Sequence, residues 1–427
     1  MENSYSWFGK AKFGLFLHWG IYSLLGRGEQ VLPRERLNPR DYEKLADEFN
    51  PADWAADDWM EQASSAGMNY AVLTSKHMDG FCMFDSKLTD YTSSKRGPKR
   101  DIVGEYVESC RKYGMRVGLY YSLADCHHPA CYAGPERDPE GWKKFIEFTH
   151  NQVRELCSNY GQIDILWFDA GWPWTAVDWR SEELDDMIRS LQPHVMINDR
   201  LHGGGSAHVQ SVGDYSLRTD GYFDTAEQSN PNRGPRPMEA CNTAGKLWWG
   251  YLAGERMYKN SNEVMYLLTQ AADAGSNFLF NIGPKPDGSF PVEFSNVLRD
   301  LAPWMKINGE SIYDTNGSVL ELATLGHMTR RGSTAYLHII YWPGKDFSVY
   351  GLGNKIHSAT YLCNGKPARF VQDGSNLRFL DVPEQSPDSL NTVIKLELDG
   401  EPFEFPGVVR LWQQNVSTQS LADWLKG

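Results

Sequence analysis

An aspartate at the end of an apolar run is the residue in this sequence that most strongly suggests chemistry. Asp169 closes the segment ILWFD, a pattern typical of a strand buried on both faces. Because burying an unpaired carboxylate is costly, Asp169 needs either a partner or a function. Two interpretations stay open at this point: a brace held by backbone N–H groups or by Arg200, and a carboxylate that takes part in a reaction.

Hydrolysis of a glycosidic bond by a carboxylate needs a second carboxyl group close to the first. Glu227, in GYFDTAEQSNP, and Glu239, in RPMEACNT, are the leading candidates, with Asp224 behind them. Either glutamate could instead fix a loop as a hydrogen-bond acceptor. The spacing in sequence does not give the separation in space that distinguishes a retaining from an inverting enzyme, so the choice stays open here.

Polar and aromatic residues close several other apolar runs. In a βα barrel the active site lies at the carboxyl ends of the strands, so these residues are natural candidates for binding. Hydroxyl groups of a neutral polyol need donors and acceptors, and a sugar ring needs an aromatic wall, so such a set suits a carbohydrate. The strand ends supply His18, Trp19, Lys76, His77, Tyr120, Tyr121, Asp199 and Arg200.

Other chemistries find less support. Cys126, His127, His128 and Cys131 crowd into one segment, but their spacing matches no standard zinc pattern. No G-x-S-x-G elbow follows a strand, and the GGG at 203–205 lacks the lysine and helix start of a phosphate loop. We therefore expect neither a metal nor a cofactor.

The elements that must position these residues alternate along the chain. From residue 13 to about residue 284, short apolar runs alternate with helical patterns, which indicates βα units and a parallel sheet. The helix signals are Asn38-Pro39, the segment 100–113 before Gly114, Ser181 before Pro193, and the pair Asn260 and Glu263. The predicted strands are 13–20, 70–77, 117–122, 165–169, 195–200 and 277–284, with strands six and seven within 221–255.

These elements predict an α/β fold, with a TIM-like (β/α) barrel over residues 1–310. After about residue 310 the pattern changes to short alternating runs separated by Gly, Pro, Asn and Asp, which predicts an antiparallel β-sandwich over 311–427. The runs are TAYLHIIYW, VYGLG, SATYLCNG, ARFVQDG, NLRFLDV, TVIKLEL and VVRLWQQ, and STQSLADWLKG at the end predicts a short helix.

Composition narrows the class of protein. The 427 residues carry 55 acidic and 42 basic side chains, a formal charge of −13, without a basic block, so nucleic acid is not an expected partner. No apolar stretch of about eighteen residues suggests a membrane span, and the first twenty residues lack the pattern of an export signal. The seven scattered cysteines form no CxxC pair, which favours free thiols and a cytoplasmic location.

A set of ordered motifs resembles the α-L-fucosidases of glycoside hydrolase family 29, over roughly residues 5–310. The resemblance implies a retaining exo-enzyme with a catalytic barrel and a C-terminal β-sandwich, acting on fucosylated oligosaccharides or glycoconjugates. The segments that carry it are WFGKAKFGLFLHWGIYS, NYAVLTSKHMDGF, GPKRDIV, GLYYSLAD, LWFDAGW, NDR, GYFDTAEQ, MEACNT with WWGY, and NFLFNIGPKPDG.

The same resemblance implies roles for individual residues. Asp169, from the W-x-D strand, matches the nucleophile of the family, and Glu227 matches the acid/base, because its segment lies about a dozen positions before the W-E-x-C motif. Glu239 then matches the glutamate of that motif and is expected to support the structure. The residues implied for the fucose pocket are His18, Glu29, His77, Tyr121, Trp167, Arg200 and Trp249.

Three positions depart from the family pattern. Gln30 and Cys126 stand where tryptophan is usual, and Met78 replaces the second histidine of a pair. These departures leave open a related exo-glycosidase, such as one acting on α-L-galactosides, and a carbohydrate-binding protein without turnover. Retention of both Asp169 and Glu227 argues against the latter. The linkage, the aglycone and a homo-oligomeric assembly are left open by the sequence.

Overall fold

The computed structural model describes residues 6–172, 174–202, 216–219 (backbone only), 237–320, 322 and 325–405. The chain divides into two compact units. The first comprises Met1–Ala271 and Ser276–Lys306, and the second comprises Ala272–Gly275 and Ile307–Gly427.

The first unit is built on a parallel sheet. Within the described residues the sheet has eight strands in the order β5-β4-β3-β2-β1-β8-β7-β6. β1 pairs in parallel with both β2 and β8, so the first and last strands are neighbours. This arrangement confirms the predicted TIM-like (β/α) fold. The strands are β1 (Phe13–Leu17), β2 (Tyr70–Lys76), β3 (Arg116–Ser122), β4 (Ile165–Asp169), β5 (Met196–Ile197), β6 (Ser216–Thr219), β7 (Met238–Thr243) and β8 (Asn277–Ile282).

Two strand predictions need correction. β6 begins at residue 216, before the predicted window of 221–255, because a four-residue strand is too short to show a periodic apolar pattern. β5 ends at Ile197, and a 3-10 turn over Asp199–His202 replaces the predicted continuation. The side chain of Asn198 takes over the pairing there, because its Oδ1 accepts from Phe168 N and its Nδ2 donates to Phe168 O, both at 2.9 Å.

Helices connect the strands, with ends close to the predicted signals. Asp101 caps α6 by accepting from Gly104 N at 3.0 Å. Asn260 and Glu263 form the predicted reciprocal pair, in which each side chain accepts from the other's backbone N–H, at 3.0 and 2.8 Å. The helices are α1 (Ser6–Ala11), α2 (Val31–Arg34), α3 (Pro39–Tyr42), α4 (Leu45–Glu48), α5 (Ala56–Ser65), α6 (Ile102–Lys112), α7 (Pro129–Arg137), α8 (Pro139–Asn159), α9 (Ser181–Leu191), α10 (Ser261–Asp273) and α11 (Val292–Asn308).

Large side chains fill the space that the strands enclose. A Cβ on Gly14 would lie 2.4 Å from Cζ of Tyr70, so the glycine lets the tyrosine ring occupy the interior. Because the interior is packed, a ligand can enter only where the strands end. The interior cluster contains Phe8, Ala11, Phe16, Tyr70, Val72, Tyr120, Ile165, Trp167, Met196, Cys241 and Leu279.

The second unit confirms the predicted antiparallel sandwich. Its described part has a four-stranded sheet, β12-β15-β10-β9, and a three-stranded sheet, β11-β14-β13. The inner faces share one apolar core that includes Leu337, Leu377 and Leu396. The run VVRLWQQ and the predicted final helix lie outside the described residues. The strands are β9 (Gly326–Arg331), β10 (Thr334–Ile339), β11 (Phe347–Tyr350), β12 (Ile356–Tyr361), β13 (Phe370–Asp373), β14 (Asn376–Phe379) and β15 (Thr392–Leu398).

All seven cysteines fall in described ranges, and each carries a free thiol. Among the described helices, none has the length and apolar character that crossing a membrane requires.

Candidate active site

A cavity of about 570 Å³ opens at the carboxyl ends of the barrel strands. Its floor is formed by Phe16, Trp167 and Cys241, which belong to the packed interior, so the cavity is closed at the bottom. Most of the sequence-predicted site residues meet here. The predicted residues in its wall are His18, Glu29, His77, Trp167, Asp169, Arg200 and Trp249.

Asp169 reaches the cavity from the last position of β4 and accepts hydrogen bonds from three described residues, Tyr120, Arg200 and Ala170. Its Oδ2 accepts from the Tyr120 hydroxyl at 2.9 Å, and its Oδ1 accepts from Nη1 of Arg200. Burial acts to raise the pKa of Asp169, but the Arg200 charge, the backbone N–H of Ala170 and the Tyr120 hydroxyl together hold it below its usual value. The carboxylate is therefore ionised at neutral pH. The structure is compatible with both interpretations of Asp169. The carboxylate pairs with Arg200, as a brace would, and it also lines a cavity, as a reacting group would.

The residue after Asp169 has an unusual backbone. Ala170 has a φ of 55°, in the left-handed region, and only 3% of its surface is exposed. A residue with a Cβ is less stable there by about 1–2 kcal/mol. This conformation lets the Ala170 N–H hydrogen-bond to the Asp169 carboxylate.

His18 is fixed in one protonation state by Asn281. The Asn281 amide nitrogen donates to Thr243 Oγ1 at 2.9 Å and to the Trp249 carbonyl at 2.7 Å, which leaves its Oδ1 as the acceptor for His18 Nδ1 at 2.7 Å. Burial, together with the neighbouring His77, lowers the pKa of His18 to about 3. The ring is therefore neutral with its proton on Nδ1, and Nε2 is left as an acceptor.

His77 lies beside His18 with its ring parallel to Tyr120. The His77 and Tyr120 ring centroids are 5.4 Å apart with an interplanar angle of 10°. Burial lowers the pKa of His77 to about 4, so this ring is neutral too. Its Nδ1 is buried and has no hydrogen-bond partner among the residues that the structure describes. The His77 side chain lines the cavity, where a neutral imidazole can hydrogen-bond a hydroxyl group of a ligand.

Glu29 ties two loops together at the wall of the cavity. Its Oε2 accepts from the backbone N–H groups of Trp249 and Gly250, at 3.0 and 2.8 Å. Burial raises the pKa of Glu29 in spite of these hydrogen bonds. Glu29 thereby holds Trp249, whose ring lies 5.5 Å from that of His18.

Glu239 lies below the cavity, where the barrel is packed. Its Oε1 accepts from the Tyr70 hydroxyl at 2.7 Å, and its Oε2 accepts from Nε1 of Trp167 at 3.1 Å. Burial raises the pKa of Glu239 to about 7. The motif glutamate is thus bonded to a residue of the cavity floor.

One predicted pocket residue is wrong. Tyr121 does not face the cavity, because its hydroxyl donates to Gln152 Oε1 at 2.7 Å and its ring lies under Nζ of Lys76, 4.4 Å away. Successive side chains of a strand point to opposite faces, so the adjacent Tyr120 faces the cavity instead. Lys76 also points away from the cavity, toward Asp125 at 3.2 Å.

The three departures from the family pattern fall in different places. Gln30 and Met78 line the cavity, and Gln30 Oε1 accepts from Arg34 Nε at 2.9 Å. Cys126 is not a lining residue of the cavity, but its backbone N–H donates to the carbonyl of the lining residue Met78 at 2.6 Å. Glu227, Asp224 and the GGG segment lie outside the described residues.

Sequence reasoning missed Asn281 and chose the wrong tyrosine. Asn281 occupies β8 within NFLFNIGP, and a polar residue in so apolar a strand was the available signal. Tyr120 is among the residues that the strand ends supply, whereas the resemblance to the family implies its neighbour Tyr121.

The Cys126–Cys131 segment holds its side chains apart. His127 Nε2 is 3.2 Å from Glu43 Oε2, and the His128 ring stacks on Phe145 with centroids 4.7 Å apart. Cys131 Sγ accepts from Asp125 N at 3.2 Å. Among the described residues no group of three or more His, Cys, Asp or Glu side chains is placed to hold a metal ion.

Comparison with known proteins identifies the family. The family model described as Alpha-L-fucosidase matches residues 1–310, well over half of the chain. The chain belongs to the α-L-fucosidase family. Among curated α-L-fucosidases, the plasma α-L-fucosidase of Homo sapiens is 32% identical over 413 residues, which is 89% of this chain and 86% of that protein. The tissue α-L-fucosidase of Mus musculus is 29% identical over 365 residues, 79% of this chain and 78% of that protein.

Solved structures of α-L-fucosidases share the fold. Isoenzyme 1 from Paenibacillus thiaminolyticus has a TM-score of 0.84 and 35% identity, and the match covers 93% of this chain and 99% of that one. A family 29 enzyme of Bacteroides thetaiotaomicron, described as a covalent intermediate trapped with 2-fluoro-fucosyl fluoride in a glutamate-to-glutamine mutant, has a TM-score of 0.84 and 27% identity over 93% and 96% of the two chains. Family membership makes the chain a glycoside hydrolase, and the resemblance in its sequence motifs is confirmed.

Proposed function

We propose that this α-L-fucosidase is an exo-acting, retaining enzyme in which Asp169 is the nucleophile. The observation that carries the proposal is an ionised carboxylate in the wall of a cavity that is closed at its bottom. A closed cavity accepts a terminal sugar and leaves the rest of the substrate outside, which is what an exo-enzyme requires.

The reaction proceeds by double displacement. Asp169 attacks the anomeric carbon and forms a glycosyl-enzyme, while protonated Glu227 gives its proton to the departing oxygen; Glu227 then removes a proton from the water that hydrolyses the intermediate. Arg200 and the Tyr120 hydroxyl keep Asp169 charged and aim its oxygens. The covalent intermediate described for the Bacteroides enzyme supports this two-step route.

The neutral histidines and Glu29 hold the sugar hydroxyls. His18 offers an acceptor at Nε2, since its Nδ1 proton is engaged by Asn281. Neutral rings suit an uncharged sugar, because a hydroxyl can both donate to and accept from imidazole. Trp249 supplies an apolar wall for the C5 methyl group of fucose.

The role of Asp169 is tested with the Asp169→Gly variant, an aryl α-L-fucoside and added azide. The variant should lose hydrolysis and yield a β-fucosyl azide, since azide fits the space left by the carboxylate. Asp90→Gly is a matched control, because the Asp90 side chain is 93% exposed and should behave as wild type. Undiminished hydrolysis by Asp169→Gly would remove the proposed nucleophile.

The role of Glu227 is tested by the dependence of rate on the leaving group. The Glu227→Ala variant should lose far more activity on substrates with poor leaving groups than on activated aryl fucosides, because only poor leaving groups need a proton. Glu182→Ala, at an exposed position of α9, provides the control. Equal losses on both kinds of substrate would move the acid/base role to another carboxyl group.

The sugar itself is tested with aryl α-L-fucosides and α-L-galactosides. The two sugars differ by a hydroxyl on C6, and Gln30 and Met78 are the cavity residues that depart from the family pattern. We expect the fucoside to be the better substrate by kcat/KM. A preference for the galactoside would reassign the substrate and leave the mechanism unchanged.

A cytoplasmic location is proposed as well. The free state of all seven thiols supports it, since disulfides are rare in reducing compartments. Fractionation of the source cells followed by an activity assay tests the proposal, and activity confined to a secreted fraction would contradict it.

A further inference from the structure

A continuous set of contacts links the packed interior of the barrel to Asp169. Glu239 stands at its centre, fully buried on β7, two residues before the cavity-lining Cys241. A charged or polar residue this deep needs hydrogen-bond partners, and its partners lead toward the cavity.

The first part of this set is a group of donors that share the Glu239 carboxyl group, and the Cys241 thiol is the most distant of them, 3.9 Å from Oε2. The Tyr70 hydroxyl donates to one oxygen of Glu239 and the Trp167 indole N–H to the other. Tyr70 is itself fixed, because its ring is seated against Gly14, where a Cβ would not fit. An indole N–H can only donate, so Trp167 depends on an acceptor at this place.

The second part runs from Trp167 to the carboxylate of Asp169. The Trp167 ring stacks on Tyr120, with centroids 5.5 Å apart and an interplanar angle of 23°, and the Arg200 guanidinium lies 5.1 Å from the Trp167 centroid. Among the residues that the structure describes, Tyr120 and Arg200 are the side chains that hydrogen-bond Asp169. A rotation of the indole would therefore disturb both partners of the carboxylate.

We propose that Glu239 is a positioning residue, which holds the Trp167 indole so that Tyr120 and Arg200 keep Asp169 aimed at the anomeric carbon. The inference rests on the proposed role of Asp169 as nucleophile. Glutamine at this position offers one acceptor in place of two, and an aliphatic residue offers none. With fewer acceptors, Trp167 and Tyr70 must turn to satisfy their protons, and the geometry at Asp169 changes.

The experiment measures how fast Asp169 reacts rather than how much protein is folded. 2-Fluoro-fucosyl fluoride is the probe, and intact-protein mass spectrometry gives both the rate constant of labelling and the final labelled fraction. A residue needed only for folding changes the final fraction and leaves the rate constant of the folded molecules intact. A positioning residue lowers the rate constant at full final labelling.

The variants are Glu239→Gln, Tyr70→Phe and their combination. Tyr160→Phe is the matched control, since the Tyr160 hydroxyl also donates to a carboxylate, that of Asp101 at 2.8 Å, away from the cavity. Glu239→Gln should label completely but about 10-fold more slowly, within the range that small misplacements of reacting groups produce. Tyr70→Phe should have a smaller effect, and the control should stay within about twofold of wild type.

The combined variant adds a second readout. Because Tyr70 and Glu239 act through one hydrogen bond, Glu239→Gln with Tyr70→Phe should be no slower than Glu239→Gln alone, whereas Glu239→Gln with Tyr160→Phe should show additive effects. A wild-type rate constant in Glu239→Gln, at any final fraction, would overturn the positioning role. Failure of wild type to label and to hydrolyse fucosides would instead overturn the proposed function, and this inference with it.

Discussion

Buried histidine pairs occur in both units of the chain. One lines the cavity of the first unit, and the other lies on the face of β9 and β10 opposite the apolar core of the second unit. Burial lowers the pKa of His18 to about 3 and that of His77 to about 4. In the sandwich, burial lowers the pKa of His338 to about 3 and that of His327 to about 4. The two pairs thus have the same electrostatic signature but different surroundings.

The difference lies in what the ring nitrogens contact. In the sandwich, His338 Nε2 lies 3.2 Å from Thr329 Oγ1 and its Nδ1 lies 3.0 Å from Asn391 Nδ2, so the protein satisfies both nitrogens. In the cavity, His77 Nδ1 is unpartnered within the described part of the chain. A lowered pKa therefore reports burial in both units, and the position of His18 and His77 in the wall of a cavity is what distinguishes the first pair.

From this contrast we expect substitutions in the cavity to lower activity more than stability. The largest loss of activity should come from the Asp169–Arg200 pair. Arg200→Met should lower kcat/KM on an aryl fucoside by about 10³-fold, because it leaves a buried carboxylate without its cation. Since Arg200 holds the pKa of Asp169 down, its removal raises that pKa and moves the acid limb of the pH profile to higher pH. Arg369→Met, at an exposed ion pair of the second unit, is the control. An unmoved acid limb would contradict the role of Arg200.

A somewhat smaller effect is expected from one of the cavity histidines. His77→Phe keeps a flat ring beside Tyr120 but removes both ring nitrogens from the cavity wall, so we expect about a 10²-fold lower kcat/KM with little change in thermal stability. Steady-state kinetics and a thermal melt check the two halves of the prediction. A large drop in melting temperature with normal turnover would show that His77 belongs with the sandwich pair.

The matching sandwich substitution should reverse this pattern. His338→Leu should destabilise the protein by about 1–3 kcal/mol, because it leaves buried partners without a hydrogen bond, and kcat of the folded enzyme should not change. Urea unfolding and kinetics on the same sample measure both quantities.

The pH dependence of stability provides a further check on His338. The folded-state pKa of about 3 lies below the usual histidine value of 6.5, so between these values the unfolded chain binds the proton more readily and stability falls as the pH is lowered. His338→Leu should remove roughly 1.4 kcal/mol per pH unit from that slope. An unchanged slope would show that His338 does not titrate on unfolding.

The smallest effect is expected from a single hydrogen bond in the sandwich. Thr329→Val keeps the shape of the side chain but removes the hydroxyl that contacts His338 and donates to the Ser311 carbonyl at 2.6 Å. We expect a loss of about 1 kcal/mol in urea unfolding and no effect on turnover. A measurable change in kcat would show that the His338 region affects catalysis, which would contradict the distinction between the two histidine pairs.

Much of the barrel could be predicted because its strands are buried on both faces. β1 is a continuous apolar run, and β2 and β4 are apolar up to the polar residues at their carboxyl ends, so their positions follow from the sequence pattern. β5 and β6 could not be placed well, since one is completed by the side chain of Asn198 and the other is four residues long. Neither a side chain that replaces backbone pairing nor so short a strand leaves a periodic pattern in the sequence.

The sequence predicts that the site lies at the ends of the strands, but it does not predict which of two adjacent side chains faces the cavity. Tyr120 and Tyr121 are adjacent, and only the register of β3 in the barrel decides which of them reaches the cavity. A shift in register between Thr74 and Lys76 on the neighbouring strand shows how local this decision is. Asn281 was missed because its role depends on His18, which lies far away in sequence.

The left-handed alanine after Asp169 restricts how the enzyme can be made more heat-resistant. Ala170 is an obvious target for engineers, since glycine adopts that backbone without steric penalty. Glycine would also give the peptide freedom to swing its N–H away from the carboxylate, and any larger side chain would intrude into the cavity that Ala170 lines. Alanine thus restricts the backbone more than glycine does and leaves the cavity open. Substitutions that raise the thermal stability have to be sought elsewhere in the chain.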